Sequence, residues 1–115
     1  MPKERQDFCL WLGETRKLIV TVTDCDENPI NLAGANIIWA MQMQHKDGPI
    51  EVRKQTGDGI TITDPTNGIF EVLLEPADTQ DLPTGRYYHE AEVMDASGNV
   101  AVIFTGSAVL LPSIT

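Results

Sequence analysis

Leu82-Pro-Thr-Gly-Arg-Tyr-Tyr-His-Glu-Ala-Glu-Val-Met-Asp95 decides the fold of this chain. From Tyr87 the side chains alternate: Tyr87, His89, Ala91 and Val93 share one face, and Tyr88, Glu90, Glu92 and Met94 share the other. A period of two with one apolar and one acidic face belongs to a β-strand with a dry side and a wet side. Gly85 stands two residues before Tyr87. At that corner a chain entering a β-sandwich turns sharply, and a buried tyrosine closes the turn by sending its hydroxyl back to upstream backbone. Gly85 and Tyr87 are therefore expected to be structural. His89, on the inward face, is expected to be a neutral, hydrogen-bonded core histidine and not a catalytic base.

The segments on either side repeat the strand signature. Arg16 to Thr23 sets Leu18, Val20 and Val22 against Lys17, Ile19, Thr21 and Thr23, with heavy β-branching. Residues 5 to 12 alternate Phe8, Leu10 and Leu12 with Cys9 and Trp11, which predicts a short edge strand folded back through a tight turn at Gly13-Glu14. Asn36 to Gln44 puts Ile37, Trp39, Met41 and Met43 on one face. A helix can also be drawn there, but Ile-Ile-Trp favours strand and no cap precedes it, so Trp39 is expected to be the core tryptophan. Ile50 to Gln55 reads as a polar strand. Ile60 to Thr63 and Ile69 to Leu74 read as a hairpin about Asp64-Pro65-Thr66-Asn67-Gly68. Pro76 to Leu82 makes one short helical turn, and Asp95-Ala96-Ser97-Gly98 is a turn with Gly98 left-handed, leading into a last strand from Val100 to Leu111. About eight strands, with turn signals roughly every 8 to 12 residues, predict an all-β, immunoglobulin-like β-sandwich of antiparallel strands. Residues 1–115 are expected to form a single domain, since 115 residues suffice for one core.

Composition narrows the function. Lys plus Arg number 8 against 17 Asp plus Glu, a net charge of -9 that repels phosphate backbones and argues against nucleic-acid binding. No apolar run approaches the roughly 18 to 20 residues of a membrane span. The charged Met-Pro-Lys-Glu-Arg-Gln-Asp start is not a secretory signal, which places synthesis in the cytoplasm. If residues 12–15 fold the first strand onto the next, Cys9 and Cys25 fall roughly 20 Å apart at about 3.3 Å per residue, and both are expected to stay reduced.

No catalytic constellation stands out. Ser97, Ser107 and Ser113 lie in a turn, the last strand and the tail, and none is placed to meet a histidine as a nucleophile must. His45 falls in a turn. Two cysteines and two histidines without close pairing do not make a zinc site, and neither a metal nor a cofactor is expected. Glu90 and Glu92 share a strand face, as the carboxylates of a glycosidase might, but a solvated sheet face explains them. Asp24, Asp26, Glu27 and Asn28 are explained by turn chemistry, and they lack the glycine and distal glutamate of a calcium loop.

Asp7-Phe8 through Gly13-Glu14-Thr15, Val20-Thr21-Val22-Thr23-Asp24, Asn28-Pro29-Ile30-Asn31-Leu32-Ala33-Gly34-Ala35 and the Leu82 to Gly98 stretch resemble the immunoglobulin-like domains of tailed-phage virions. The similarity is greatest to the N-terminal domain of phage upper baseplate proteins, and it spans nearly the whole chain. Its motifs are turns and core positions, so they speak for a scaffold more firmly than for an activity. Glu14 stands where aspartate is commoner in that family. The resemblance implies a non-enzymatic virion structural protein of the tail, neck or baseplate, made in the bacterial host and carried in the virion, with other virion proteins as partners.

The first and last strands carry apolar residues on both faces. Trp11 and Cys9 lie opposite Phe8 and Leu10, while Ile103, Val109 and Leu111 lie opposite Val102, Phe104 and Leu110. A sheet buries one face against its core, so Trp11, Cys9, Ile103, Val109 and Leu111 are the candidate interface residues of a homo-oligomer or larger assembly. The alternative is a carbohydrate-binding module for adhesion to the bacterial surface, with Trp11 as a sugar platform.

Overall fold

The computed structural model describes residues 4–5, 7–24, 26–43 and 50–112; Cys25, His45, the turn expected at residues 46–49 and Ser113 fall outside them. In chain order the elements are β1 (Glu4–Arg5), β2 (Phe8–Trp11), β3 (Arg16–Thr21), β4 (Asn36–Met43), β5 (Ile50–Thr56), β6 (Gly59–Asp64), β7 (Ile69–Leu74), α1 (Pro76–Thr79), β8 (Gly85–Met94) and β9 (Val100–Leu111). The fold is all-β apart from the single turn of α1. Eight strands follow one path, β1-β9-β8-β4-β5-β6-β7-β3, and β2 continues the line of β1 along β9. The path curls until the sheet is nearly barrel-shaped. What stays open is a seam between β3 at one end and β1 and β2 at the other.

Alternation along the central strands builds the core. Tyr87, His89 and Ala91 of β8 face inward and stand opposite Met43, Met41 and Trp39 of β4. Phe70, Val72 and Leu74 of β7 meet them from across the interior, with Phe104 and Leu110 of β9 completing it. Phe70, Val72, Leu74, Phe104 and Leu110, each fully withdrawn from water, contribute about 1.5–3 kcal/mol apiece.

Two expectations about pairing are corrected. The first strand does not fold back on the second: β2 pairs parallel with β9, from Phe8↔Ala108 to Trp11↔Leu111, and β3 pairs antiparallel with β7. The turn residues between them explain this. The Leu12 N–H donates to the Leu111 carbonyl at 3.0 Å, and the Gly13 N–H donates to Thr79 Oγ1 at 3.0 Å. These bonds tie the turn to β9 and α1, so β2 stays on β9 and the chain passes on to β3 beside β7. The sheet is also mixed, because β1 and β2 run parallel to β9 and β5 meets β6 in a short parallel junction, Gln55↔Gly59 and Thr56↔Ile60.

Ile103 is the third correction. Ala91 pairs with Phe104 and Glu92 with Val102, which leaves Ile103 as the extra residue of a β-bulge. The bulge reverses the alternation, so Ile103 and Phe104 are both buried, at 4% and 1% exposure. Ile103 is a core residue and not part of an interface.

Two turns at one end of the sheet are built alike. Asp24 Oδ1 accepts the N–H groups of Asp26 and Asn28, and Asp95 Oδ1 accepts those of Ser97 and Asn99, all within 2.9–3.0 Å. Gly98 has φ +90°, and Glu27, at the matching position, has φ +67°, a left-handed backbone that ordinarily selects glycine. The backbone N–H of Asn28 above all holds the Asp24 carboxyl below the ordinary 3.8, and that of Asn99 does the same for Asp95. A carboxyl lowered in the folded state adds stability above its unfolded value, and that stability is lost as pH falls through the lowered folded value. Asp95→Ala is therefore expected to destabilise the protein at neutral pH and to cost progressively less in acid below 3.8. Denaturant titrations at the two pH values measure this, and an equal loss at both would contradict it.

Candidate functional site

The seam concentrates the surface features that the core does not explain. Its floor is His89, 1% exposed. The Trp39 Nε1–H donates to His89 Nδ1 at 3.0 Å. An indole nitrogen only donates, so Nδ1 accepts and carries no proton. Phe8 meets the imidazole edge-on at 5.0 Å between ring centroids, and Phe104 lies at 5.5 Å. An imidazole bonded to indole and enclosed by rings is a packing element.

Above it lies a slot of about 160 Å³, walled by Asp7 and Phe8 on one side and by Arg16 to Val20 on the other. Its charges are already engaged. Asp7 Oδ1 accepts the Ser107 N–H at 2.8 Å, standing in for a ladder bond at the break between β1 and β2. Arg16 pairs with Glu14 at 3.0 Å, and Lys17 lies 3.8 Å from Glu71. Among the described residues no group of three or more His, Cys, Asp or Glu is arranged to hold a metal ion.

Four candidate interface residues fall together on the outer side of the β2–β9 edge. Trp11 is 52% exposed and stands opposite Leu111, while Cys9, an exposed free thiol, stands opposite Val109. Val109 and Leu111 are half-buried. The strip they form is apolar and borders a sheet edge. Arg86, opposite Val109 on β8, begins the polar part of the same face. Farther along, the Tyr88 hydroxyl donates to Glu90 Oε2 at 3.0 Å, beside a shallow dent of about 90 Å³ with Ala40, Gln42 and Ile50. Burial first, and then Glu90, raise the Tyr88 phenol above its ordinary 10.0. Glu90 is thus a hydrogen-bond acceptor on an open face, and among the described residues the dent beside it is lined by no second acid.

Tyr87 is fully buried, and its hydroxyl donates to the Pro83 carbonyl at 2.7 Å. Gly85, at φ +136°, makes the turn into β8. Burial, then the charge of Glu51, raises the Tyr87 phenol above 10.0. Tyr87→Phe is expected to cost about 0.5–1.5 kcal/mol, the net contribution of one hydrogen bond, because the Pro83 carbonyl that loses its donor belongs to an exposed residue that water can reach. Denaturant titration reads this directly, and unchanged stability would remove the bond from the account.

Two features of the seam escape sequence reasoning. Asp7 completes a ladder 100 positions away in sequence. Ile19, 68% exposed, lies on β3, which among the described residues has one neighbouring strand, and nothing in the linear order marks β3 as the end of the sheet.

An all-β domain with an open seam, an exposed tryptophan strip and no metal cluster among its described residues is the class these features define. No protein-family model matches the chain, and no curated protein matches it. Among solved structures it is similar to a family 123 glycoside hydrolase from Clostridium perfringens, described as acting in glycolipid glycan hydrolysis, at 12% identity and a TM-score of 0.40. That alignment covers 95% of this chain and 23% of the hydrolase.

Proposed function

We propose that this chain is a non-enzymatic assembly module of a tailed-phage or prophage virion, an immunoglobulin-like sandwich that docks to tail, neck or baseplate proteins. The sandwich reading draws on the narrow β5–β6 junction, where two residue pairs join a β2-β9-β8-β4-β5 layer to a β6-β7-β3 layer. The virion reading draws on the motif resemblance, from Asn28-Pro29-Ile30 through Leu82 to Gly98. The observation that carries docking is the strip of Trp11, Leu111, Val109 and Cys9: a half-exposed tryptophan with aliphatic neighbours on an edge strand is a contact surface of the kind tryptophan anchors.

Trp11 is also what favours the second reading, a carbohydrate-binding module. A sugar platform gains from a second ring, and the nearest on this face is Tyr88, roughly 13 Å along the strands and already bonded to Glu90. Docking is the better fit. Light scattering of the purified protein, alone and mixed with the virion proteins encoded beside it, tests it. Complex formation that Trp11→Asp abolishes is the expected result. A protein that binds none of them, or binds equally well with Trp11→Asp, overturns the proposal, and quenching of Trp11 fluorescence by oligosaccharides transfers the surface to the second reading.

A further inference from the structure

We infer that the free edge of β3 pairs with the β3 edge of a second copy of this chain, antiparallel about a twofold axis at Ile19. Among the described residues β3 ends the sheet, and β7 is the one strand it pairs with. One step beyond Thr21↔Ile69, the Val22 N–H donates to the Gly68 carbonyl at 2.8 Å, and the Val22 carbonyl accepts the Ile30 N–H at 3.0 Å. Successive residues of a strand turn their main-chain groups to opposite edges, so the even-numbered residues serve β7 while Lys17, Ile19 and Thr21 present theirs to the open side. Such a row is a template for another strand. At its centre Ile19 is 68% exposed, more than Trp11, Ile50, Met94 or Val100.

Strand parity restricts the register. Residues directly opposite in an antiparallel pair share a face, and Leu18 and Val20 must stay on the core side, so odd residues must meet odd. The register centred on Ile19 uses all three presented residues. It sets Ile19 against the partner's Ile19, Lys17 against the partner's Thr21 and Thr21 against the partner's Lys17, with each pair exchanging two main-chain hydrogen bonds. Leu18 then faces the partner's Val20.

Charge selects the same arrangement. Glu71 stands opposite Ile19 on β7 and lies 3.8 Å from Lys17. About the axis the Ile19 pair is ringed by Lys17 and Glu71 from each copy in alternating sign, with the two Lys17 roughly 13 Å apart along the strands. Sliding one strand by two residues, to set Lys17 against Ile19, brings the two lysines to roughly 7 Å. On a chain of net charge -9, β3 carries Arg16 and Lys17 and no acid, which eases the repulsion between copies at this edge. The pairing does not depend on the virion reading, and its strand is not the one that bears Trp11.

Cross-linking tests the register. In a Cys9→Ser, Cys25→Ser background, Ile19→Cys places two thiols across the axis at about 5.5 Å between Cα atoms, within disulfide reach. Mild oxidation should convert Ile19→Cys to a covalent dimer. Lys17→Cys and Thr21→Cys should each stay free of the covalent cross-link alone and form it when mixed. Ile19→Lys, at a site too exposed to threaten folding, should weaken the dimer about tenfold or more in sedimentation equilibrium, with an unchanged circular dichroism spectrum. A wild-type protein that sediments as a monomer at all concentrations, or an Ile19→Cys variant that cross-links no better than Lys17→Cys alone, overturns the inference.

Discussion

Gly68→Ala is expected to destabilise the protein by roughly 3–4 kcal/mol, a large part of the roughly 5–15 kcal/mol that holds a domain folded. Gly68 sits at φ +69°, where a side chain alone costs about 1–2 kcal/mol. A Cβ there would also stand 2.6 Å from the Val22 carbonyl oxygen and 2.7 Å from that of Ile30. Neither oxygen is free to retreat. The Val22 N–H is bonded to Gly68 itself at 2.8 Å, and the Val22 carbonyl holds the Ile30 N–H at 3.0 Å, so the three segments move together or not at all. Gly57 supplies the control, because it has φ +86° with nothing within 4 Å of its would-be Cβ. Gly57→Ala should cost only the backbone share, about 1–2 kcal/mol. Equal losses for the two alanines in urea titration would show that the close approach at Gly68 contributes nothing.

His89→Leu is the second large effect, about 2–4 kcal/mol. Leucine keeps most of the volume but leaves the Trp39 indole N–H, 0% exposed, without an acceptor and gives up the ring contacts to Phe8 and Phe104. Leaving a buried donor unmet costs about 1–3 kcal/mol, and removing both partners is far cheaper. A double-mutant cycle with Trp39→Phe separates the two contributions. His89→Leu should cost about 1–3 kcal/mol less in the Trp39→Phe background, and strict additivity would show that the bond adds nothing.

Much of this architecture was legible because it is local. Tyr87, His89 and Ala91 face inward as their alternation requires, and Ile69 to Leu74, Pro76 and Gly98 sit in the strand, helical turn and left-handed turn that their residue types favour. Partner choice was not legible. The pairing of β2 with β9 depends on Leu12 and Gly13 finding Leu111 and Thr79, groups that no local pattern marks. The misplacement of Ile103 has a similar origin. Val100 to Leu111 is apolar at so many positions that either phase looks dry, and the bulge that decides between them is set by strand pairing with β8. Of the candidate strip, Trp11, Cys9, Val109 and Leu111 could be read from alternation, whereas the slot over His89 arises from the open ends of a sheet and has no counterpart in the linear order.

The parallel pairing of β1 and β2 with β9 keeps a constant offset of one hundred positions, from Glu4↔Phe104 to Trp11↔Leu111. On the ribosome, the first strands to emerge must wait for their partner, which leaves the tunnel after almost everything between them. The β4–β5 and β6–β7 hairpins, whose partners are neighbours in the chain, can form during that interval, but Leu10 and Phe8 have no sheet to join until residues 104–111 are free. Such long-range closure is slow, because loop entropy is lost before the contacts repay it. Leu10 and Phe8, which the folded domain packs into its core, are therefore most exposed to other chains in the nascent protein, at the moment when copies emerging from one polysome are closest together.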